Sequence, residues 1–350
     1  MLIFVGLGLE QSPTLRALDE LKNCDIVYFE SYTSPVLNEE TRLETILKEK
    51  TVERVKREFV EDGWRIIREA KTKKVALVSS GDPLIATTHQ ELRTRALREG
   101  IECRVLHGSS ILTAVAGEFG LHSYNFGRIV TMTEEAMQYT AYNTIYQNLL
   151  RGLHSILLLQ WDESRNFFLS PRRAIGSLED AEKDIKYGII RGKTLILTAS
   201  RLGSESPKLS ASLIEELAET ELGEPPLVMV IPGRLHFTEM EALGAIVSRD
   251  PSWFTDNSET IERISRRMLD RYSKKTMDAL QRARSSASML TPDKRSAASF
   301  DEVFENVECY VQDAIRFINE GKEELAVLSI GYAEGLLDSL RFSRLLEFEW

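Results

Sequence analysis

The run Val75-Ala-Leu-Val-Ser-Ser-Gly-Asp-Pro-Leu-Ile-Ala-Thr-Thr-His89 decides the fold class. Val75–Val78 is apolar without alternation, as expected of a strand buried on both faces of a parallel sheet. Gly81 and Pro83 then mark a sharp turn, and His89–Glu99 carries helical spacing. Short apolar runs recur at Leu2–Val5, Ile26–Phe29, Cys103–Leu106, Ile129–Thr131, Ser155–Leu159, Thr194–Leu197 and Leu227–Ile231. Amphipathic stretches lie between them. Phe59–Ala70 places Phe59, Trp64, Ile66 and Ile67 toward one side, and Leu209–Glu221 reads as a further helix. Strand and helix alternate, which predicts an α/β protein with largely parallel sheets. The spacing predicts two α/β domains, residues 1–120 and 121–249, joined at Gly120–Gly127 and packed around a cleft.

The pattern changes near Asp250-Pro-Ser-Trp-Phe-Thr-Asp-Asn-Ser258, which reads as a linker. Residues 258–350 then predict an all-α bundle, with helices near 258–289, 299–320 and 322–346. Arg263–Arg284 is basic and Asp301–Glu324 acidic, so the two faces are expected to attract each other within the bundle. A basic docking face for RNA or an acidic partner is the alternative. Ser329, Gly331, Ala333 and Gly335 would allow close approach between helices.

The charge excludes some classes. Forty-four Lys and Arg against 54 Asp and Glu give 44 − 54 = −10. A chain this acidic lacks the basic surface that nucleic-acid binding uses to displace counterions. No apolar run approaches the roughly 20 residues that span a bilayer. Cys24, Cys103 and Cys309 form no metal or disulfide pattern, which suits a reducing, cytoplasmic setting.

Chemistry is expected at strand ends, where open α/β sheets bind their ligands. Gly6-Leu-Gly8-Leu9 ends the first strand, and glycine lets backbone approach a ligand or close a tight turn. Asp82 would offer a carboxylate to a ligand hydroxyl or amino group, or would serve only its own turn. Thr87 and Thr88 are possible helix caps. His107-Gly-Ser-Ser110-Ile111 opens a helix near 110–119, with Ser109 or Ser110 as its cap and free N–H groups at its start. The five histidines are scattered singly. No Ser-His-Asp order, paired-carboxylate site or metal spacing is readable, and no catalytic side chain is assigned.

Taken together, these motifs resemble the diphthine-synthase branch of the tetrapyrrole-methylase-like family of S-adenosylmethionine-dependent methyltransferases. The resemblance rests on Phe4–Leu9, Phe29-Glu-Ser-Tyr-Thr-Ser34, Gly81–His89, Val105–Ile111, Gly120–Gly127 and Pro225-Pro…Ile231-Pro-Gly-Arg-Leu-His236, and covers about residues 1–248. Residues 258–350 resemble an archaeal helical domain of unknown function, through Tyr332–Arg341. The family implies two α/β domains, a homodimer, and S-adenosylmethionine as co-substrate without a metal. It implies a donor site at Leu9, Asp82, Ile85, Ser110, Ile111, Leu159, Leu202 and Leu227. It implies methylation of the amino group of a modified histidine on translation elongation factor 2, in the cytoplasm. The sequence departs from the family at Gln160-Trp161, usually Asp-Ile, and at Leu227, often His. The competing readings are a methylase acting on a corrin precursor or ribosomal RNA, and a non-catalytic ligand-binding adaptor.

Overall fold

The computed structural model describes residues 1–35, 47, 50–135, 138–256, 263–290 and 300–350. The chain divides into two compact units, Met1–Ile261 and Glu262–Trp350.

The first unit begins with β1 (Leu2–Gly6), α1 (Leu15–Lys22), β2 (Ile26–Glu30), β3 (Val52–Val55), α2 (Arg57–Asp62), α3 (Trp64–Ala70), β4 (Val75–Ser79), α4 (His89–Arg98), β5 (Cys103–Leu106) and α5 (Ile111–Glu118). Its five strands form a parallel sheet in the order β3-β2-β4-β1-β5. Successive strand residues alternate between two cores, as the pleat requires. Leu2, Phe4, Tyr28 and Leu77 pack on one face with Ile66 and Leu92. Ile3, Val5, Val27 and Val78 pack on the other with Ala17 and Leu21. The register pairs Gly6 with Ser79, Ser79 with Glu30 and Val5 with Leu106. Four loops therefore leave the sheet from one edge.

The Phe59–Ala70 stretch is two helices rather than one. Gly63 sits between them at φ 60° and ends α2 in the left-handed region, where a Cβ is disfavoured. That break turns Trp64 outward, where it is 61% exposed, while Ile66 and Ile67 stay in the core.

The second half holds β6 (Val130–Met132), α6 (Tyr139–Leu150), β7 (Ser155–Leu159), β8 (Trp161–Asp162), β9 (Phe167–Phe168), α7 (Pro171–Ile185), β10 (Leu195–Ser200), β11 (Lys208–Leu213), β12 (Leu227–Ile231), α8 (Phe237–Val247) and α9 (Pro251–Asp256). Its main sheet runs β11-β10-β12-β7-β6, and only β6 and β7 are parallel. This corrects the expectation of largely parallel pairing in both halves. It also corrects the helix read over Leu209–Glu221, since Lys208–Leu213 is an edge strand antiparallel to β10. The linker reading changes too: α9 packs Trp253 and Phe254 into the core of this half, with Phe254 fully buried.

In the second unit, α10 (Ile264–Ser288), α11 (Phe300–Asn319) and α12 (Glu323–Phe342) bury Leu280, Ala283, Phe304, Val307, Ile330 and Leu337 together. Residues 258–262 and 299 of the expected helices lie outside the described residues. Arg284 pairs with Glu308 at 3.0 Å and Arg263 with Glu323 at 3.3 Å, so the basic and acidic stretches do meet inside the bundle. Ser329 and Ala333 face the core, but Gly331 and Gly335 are exposed and have no atom near the position of a Cβ. Among the described residues their smallness serves no helix contact within this unit. No helix among the described residues is long and apolar enough to cross a membrane.

Candidate functional site

The loops after β1, β4 and β5 are locked together by backbone. Gly8 donates to the Gly81 carbonyl and Gly81 to the Gly8 carbonyl, both at 3.0 Å. A Cβ on Gly6 would lie 2.4 Å from the Gly81 oxygen, and one on Gly108 would lie 2.4 Å from that oxygen and 2.5 Å from the Gly8 nitrogen. Glycine at 6 and 108 thus answers to neighbouring backbone. Gly81 is different, because a Cβ there would meet only the Ser109 oxygen at 3.8 Å, and its φ of +68° is what favours glycine.

On this frame, the Leu9 N–H donates to Ser109 Oγ at 2.8 Å. Ser110 caps α5, its hydroxyl accepting from Leu112 N–H. Asp82 is nearly buried, and both its carboxylate oxygens have partners. Oδ1 accepts from Leu84 N–H at 2.9 Å, and Oδ2 lies 2.7 Å from His107 Nδ1. The turn role is therefore real, and a ligand role would have to share these oxygens. Thr87 does not cap α4; its hydroxyl donates to the Pro83 carbonyl at 2.8 Å. Thr88 occupies the cap position without a capping bond. Ile85 is 36% exposed on the loop surface.

The second half presents its own edge. Ser200 pairs with Leu227 and Leu158 with Val228, so the antiparallel register brings Leu159, Leu202 and Leu227 to one end of the sheet. The two halves meet there. Leu9, Ile111 and Leu202 share one apolar cluster, and a Cβ on Gly203 would lie 2.6 Å from the Leu9 Cβ. The departure at Trp161 falls at a second meeting point. Its indole N–H donates to the Ser31 carbonyl at 3.3 Å, its ring stacks on Phe168 at 4.2 Å, and Ser31 Oγ donates to Glu163 Oε1 at 2.5 Å. Of the eight expected residues, then, Leu9, Asp82, Ile85, Ser110 and Ile111 lie on three adjoining loops of the first half. Leu159, Leu202 and Leu227 lie at one edge of the second. The arrangement fits a ligand with apolar and polar parts, because Ser79 Oγ at the end of β4 and Arg201 Nε after β10 are buried without hydrogen-bond partners.

The histidines are not scattered in space. His107 sits on Asp82, His89 faces Glu30, and His122, His154 and His236 gather around Glu239. Only Glu239, three residues after His236, lies near its histidine along the chain; Asp82 is 25 residues from His107, and Glu239 is 85 from His154 and 117 from His122, so spacing shows nothing of these groups. Among the described residues no group of three His, Cys, Asp or Glu is placed to hold a metal ion.

Burial pushes Glu30 up to about 7, against hydrogen bonding from Thr33, and pushes His89 down to about 4. From about pH 4.5 to 7 the folded chain holds a Glu30 proton that the unfolded chain lacks, so this group loses stability as pH rises. From about pH 4 to 6.5 the unfolded chain holds a His89 proton that the folded chain lacks, so this group gains stability as pH rises. The two offset each other where they overlap. Glu30→Gln removes one side of the balance. Its chemical-denaturation stability should climb with pH between 4.5 and 6.5, by up to about 1.4 kcal/mol per pH unit relative to the parent. Parallel profiles for the two proteins would show that the pair does not titrate in this way.

Residues 1–218 match the family described as Tetrapyrrole (Corrin/Porphyrin) Methylases, and residues 271–346 match Protein of unknown function (DUF357). The chain is 38% identical over 250 residues to diphthine synthase of Methanocella arvoryzae, covering 69% of this chain and 96% of that protein. It belongs to the diphthine synthase family of tetrapyrrole methylases. The diphthine synthase of Methanocaldococcus jannaschii is 37% identical over 251 residues, with 69% and 97% covered. A crystal structure of diphthine synthase superposes with a TM-score of 0.64 at 31% identity, covering 72% of this chain and 97% of that one. As a member of this family the chain is a methyltransferase, and its α/β unit carries the family fold.

Proposed function

We propose that this chain transfers methyl groups from S-adenosylmethionine to the amino group of the modified histidine on translation elongation factor 2, the diphthine-forming step of diphthamide biosynthesis. The observation that carries the reading is the meeting of the family's two most specific runs, Phe29–Ser34 and Gly81–His89, at the edge where both halves converge. The donor supplies a methyl group already activated on a sulfonium. The chain's work is to hold and to exclude water. The fused Gly8, Gly81 and Gly108 loops set the backbone against which Leu9, Asp82, Ile85, Ser110 and Ile111 would hold the donor, with Leu159, Leu202 and Leu227 opposite. Leu9, Ile111 and Leu202 shield that side from solvent. Action in the cytoplasm as a homodimer belongs to the same reading and rests on the resemblance. Purified protein mixed with labelled S-adenosylmethionine and archaeal elongation factor 2 bearing the unmethylated intermediate should label the factor. Donor binding without transfer would favour the adaptor reading.

Asp82 offers a local test. Asp82→Ala should weaken binding of S-adenosylhomocysteine by about 1–3 kcal/mol if a ligand shares the carboxylate in a partly dry cleft. Retained affinity with a lowered melting temperature would confine Asp82 to its turn and its contact with His107.

A further inference from the structure

The loop that carries Asp82 and Ile85 ends at His89, and the His89 ring is buried against the β2 loop. His89 Nδ1 lies 2.7 Å from the Pro83 carbonyl oxygen. A carbonyl only accepts, so Nδ1 carries the proton of a neutral ring and Nε2 is left as an acceptor. Nε2 faces Glu30 Oε1 at 3.7 Å and the Tyr32 hydroxyl at 3.5 Å. Glu30 and His89 are almost wholly buried, and Glu30 Oε1 has no hydrogen-bond partner. The other oxygen, Oε2, accepts from Thr33 N–H at 3.0 Å. The Tyr32 hydroxyl can donate to Nε2, but Glu30 Oε1 is left facing an acceptor across a dry gap, and it is satisfied only if it carries a proton and the gap closes by a few tenths of an ångström. Such an arrangement is costly unless satisfied. Neither residue reaches the expected donor positions, and a plain apolar pair would fill the same space.

We propose that Glu30 and His89 are positioning residues for methyl transfer, sharing one proton so as to clamp the Gly81–His89 loop to the Phe29–Ser34 loop. The clamp joins two ends of the site. On one side His89 holds Pro83, next to Asp82. On the other Glu30 holds Thr33, in the loop whose Ser31 meets Trp161 and Glu163 just after Leu159. The charged and titratable groups around the pair are Tyr32, the Arg57 guanidinium 4.9 Å from the centre of the Tyr32 ring, Glu61 paired with Arg57, and Glu163. Burial favours the proton on Glu30, which lets its hydroxyl donate to Nε2.

The inference rests on the methyltransferase reading, so the test begins with the full, unaltered chain and S-adenosylhomocysteine in a calorimeter. No binding there would overturn that reading and would not bear on the clamp. With binding in hand, Glu30→Leu keeps the volume and removes the shared proton. It should melt within a few degrees of the parent yet bind the ligand at least tenfold more weakly. Glu30→Gln, whose amide can donate to Nε2, should bind within threefold of the parent. A folded Glu30→Leu protein with parental affinity would overturn the clamp. Should that variant not fold, the pH dependence decides. Parental affinity should fall at least threefold between pH 6.5 and 8.5 as Glu30 loses its proton, while Glu30→Gln stays flat. Titration of other groups is common to both proteins and cancels in the comparison. Coincident profiles would overturn the proposal.

Discussion

Gly108→Ala should destabilise the α/β unit by about 3 kcal/mol or more and cut methyl transfer by about a hundredfold. One extra carbon in a packed interior usually costs about 1–3 kcal/mol, because neighbouring side chains can rotate away. Here the neighbours are main-chain atoms of Gly81 and Gly8, at 2.4 and 2.5 Å from the new Cβ. They can move only if the reciprocal Gly8–Gly81 hydrogen bonds stretch or break. Displacement of about 1 Å at a reacting centre is enough for the loss in rate. Gly176→Ala in α7 is the control, since a Cβ there meets nothing within 4 Å and alanine suits a helix better. Urea denaturation and methyl-transfer rates on both variants would check the expectation. A Gly108→Ala protein as stable as the parent would mean that the three loops are not rigidly joined.

Glu239→Ala should cost about 3–5 kcal/mol, the range for removing one partner of a buried charged network. Glu239 is fully buried in α8. It accepts from His122 N–H and His236 N–H, both at 2.7 Å, and from His154 Nε2 at 3.1 Å. His154 Nδ1 accepts from Gly233 N–H at 3.0 Å, so the proton of its neutral ring must sit on Nε2. Burial alone would raise the Glu239 carboxyl, yet the donors from His236, His122 and His154 bring it below the usual carboxylate range. One carboxylate therefore ties the Gly120–Gly127 seam to the segment before β7 and the start of α8. Alanine would leave three buried donors unpaired. Denaturation should show the loss at pH 7, and it should shrink in acid, where the parent's carboxylate is protonated as well. A loss below about 1 kcal/mol would mean that water or a neighbouring group takes over the donors.

The first half was legible because its chemistry is local. Val75–Val78 and Leu2–Val5 are continuous apolar runs, and Gly81-Asp-Pro83 marks the turn between strand and helix. Ser110 is the cap that the sequence offered, and Asp82 does serve its turn. The second half misled at Leu209–Glu221. Leu209, Ala211, Leu213, Ile214 and Leu217 fit both a helical and an alternating spacing, and only pairing with β10 selects the strand. Antiparallel pairing of β12 with β7 and β10 is equally invisible in apolar runs, because direction leaves no mark on composition. Val52–Val55 escaped notice because Glu53 and Arg54 interrupt it, which an edge strand tolerates. Trp64 looked like a core residue until Gly63 broke the helix before it. The carboxylate–histidine groups were hidden for a different reason: Glu239 lies 85 residues from His154 and 117 from His122, separations at which spacing carries no signal.

The reciprocal bonds between Gly8 and Gly81 have a consequence for how such a chain can change over generations. The grip between the Gly8 and Gly81 loops is made by peptide groups, and the loop after β5 joins them through close backbone approach at Gly108 and the Ser109 hydroxyl. Apart from Ser109, the side chains that border it make no bond to the main chain of Gly8, Leu9, Gly81 or Gly108 among the described residues. Trp161, Ser31 and Leu227 take no part in the reciprocal Gly8–Gly81 bonds, so a change at any of them leaves those two bonds in place.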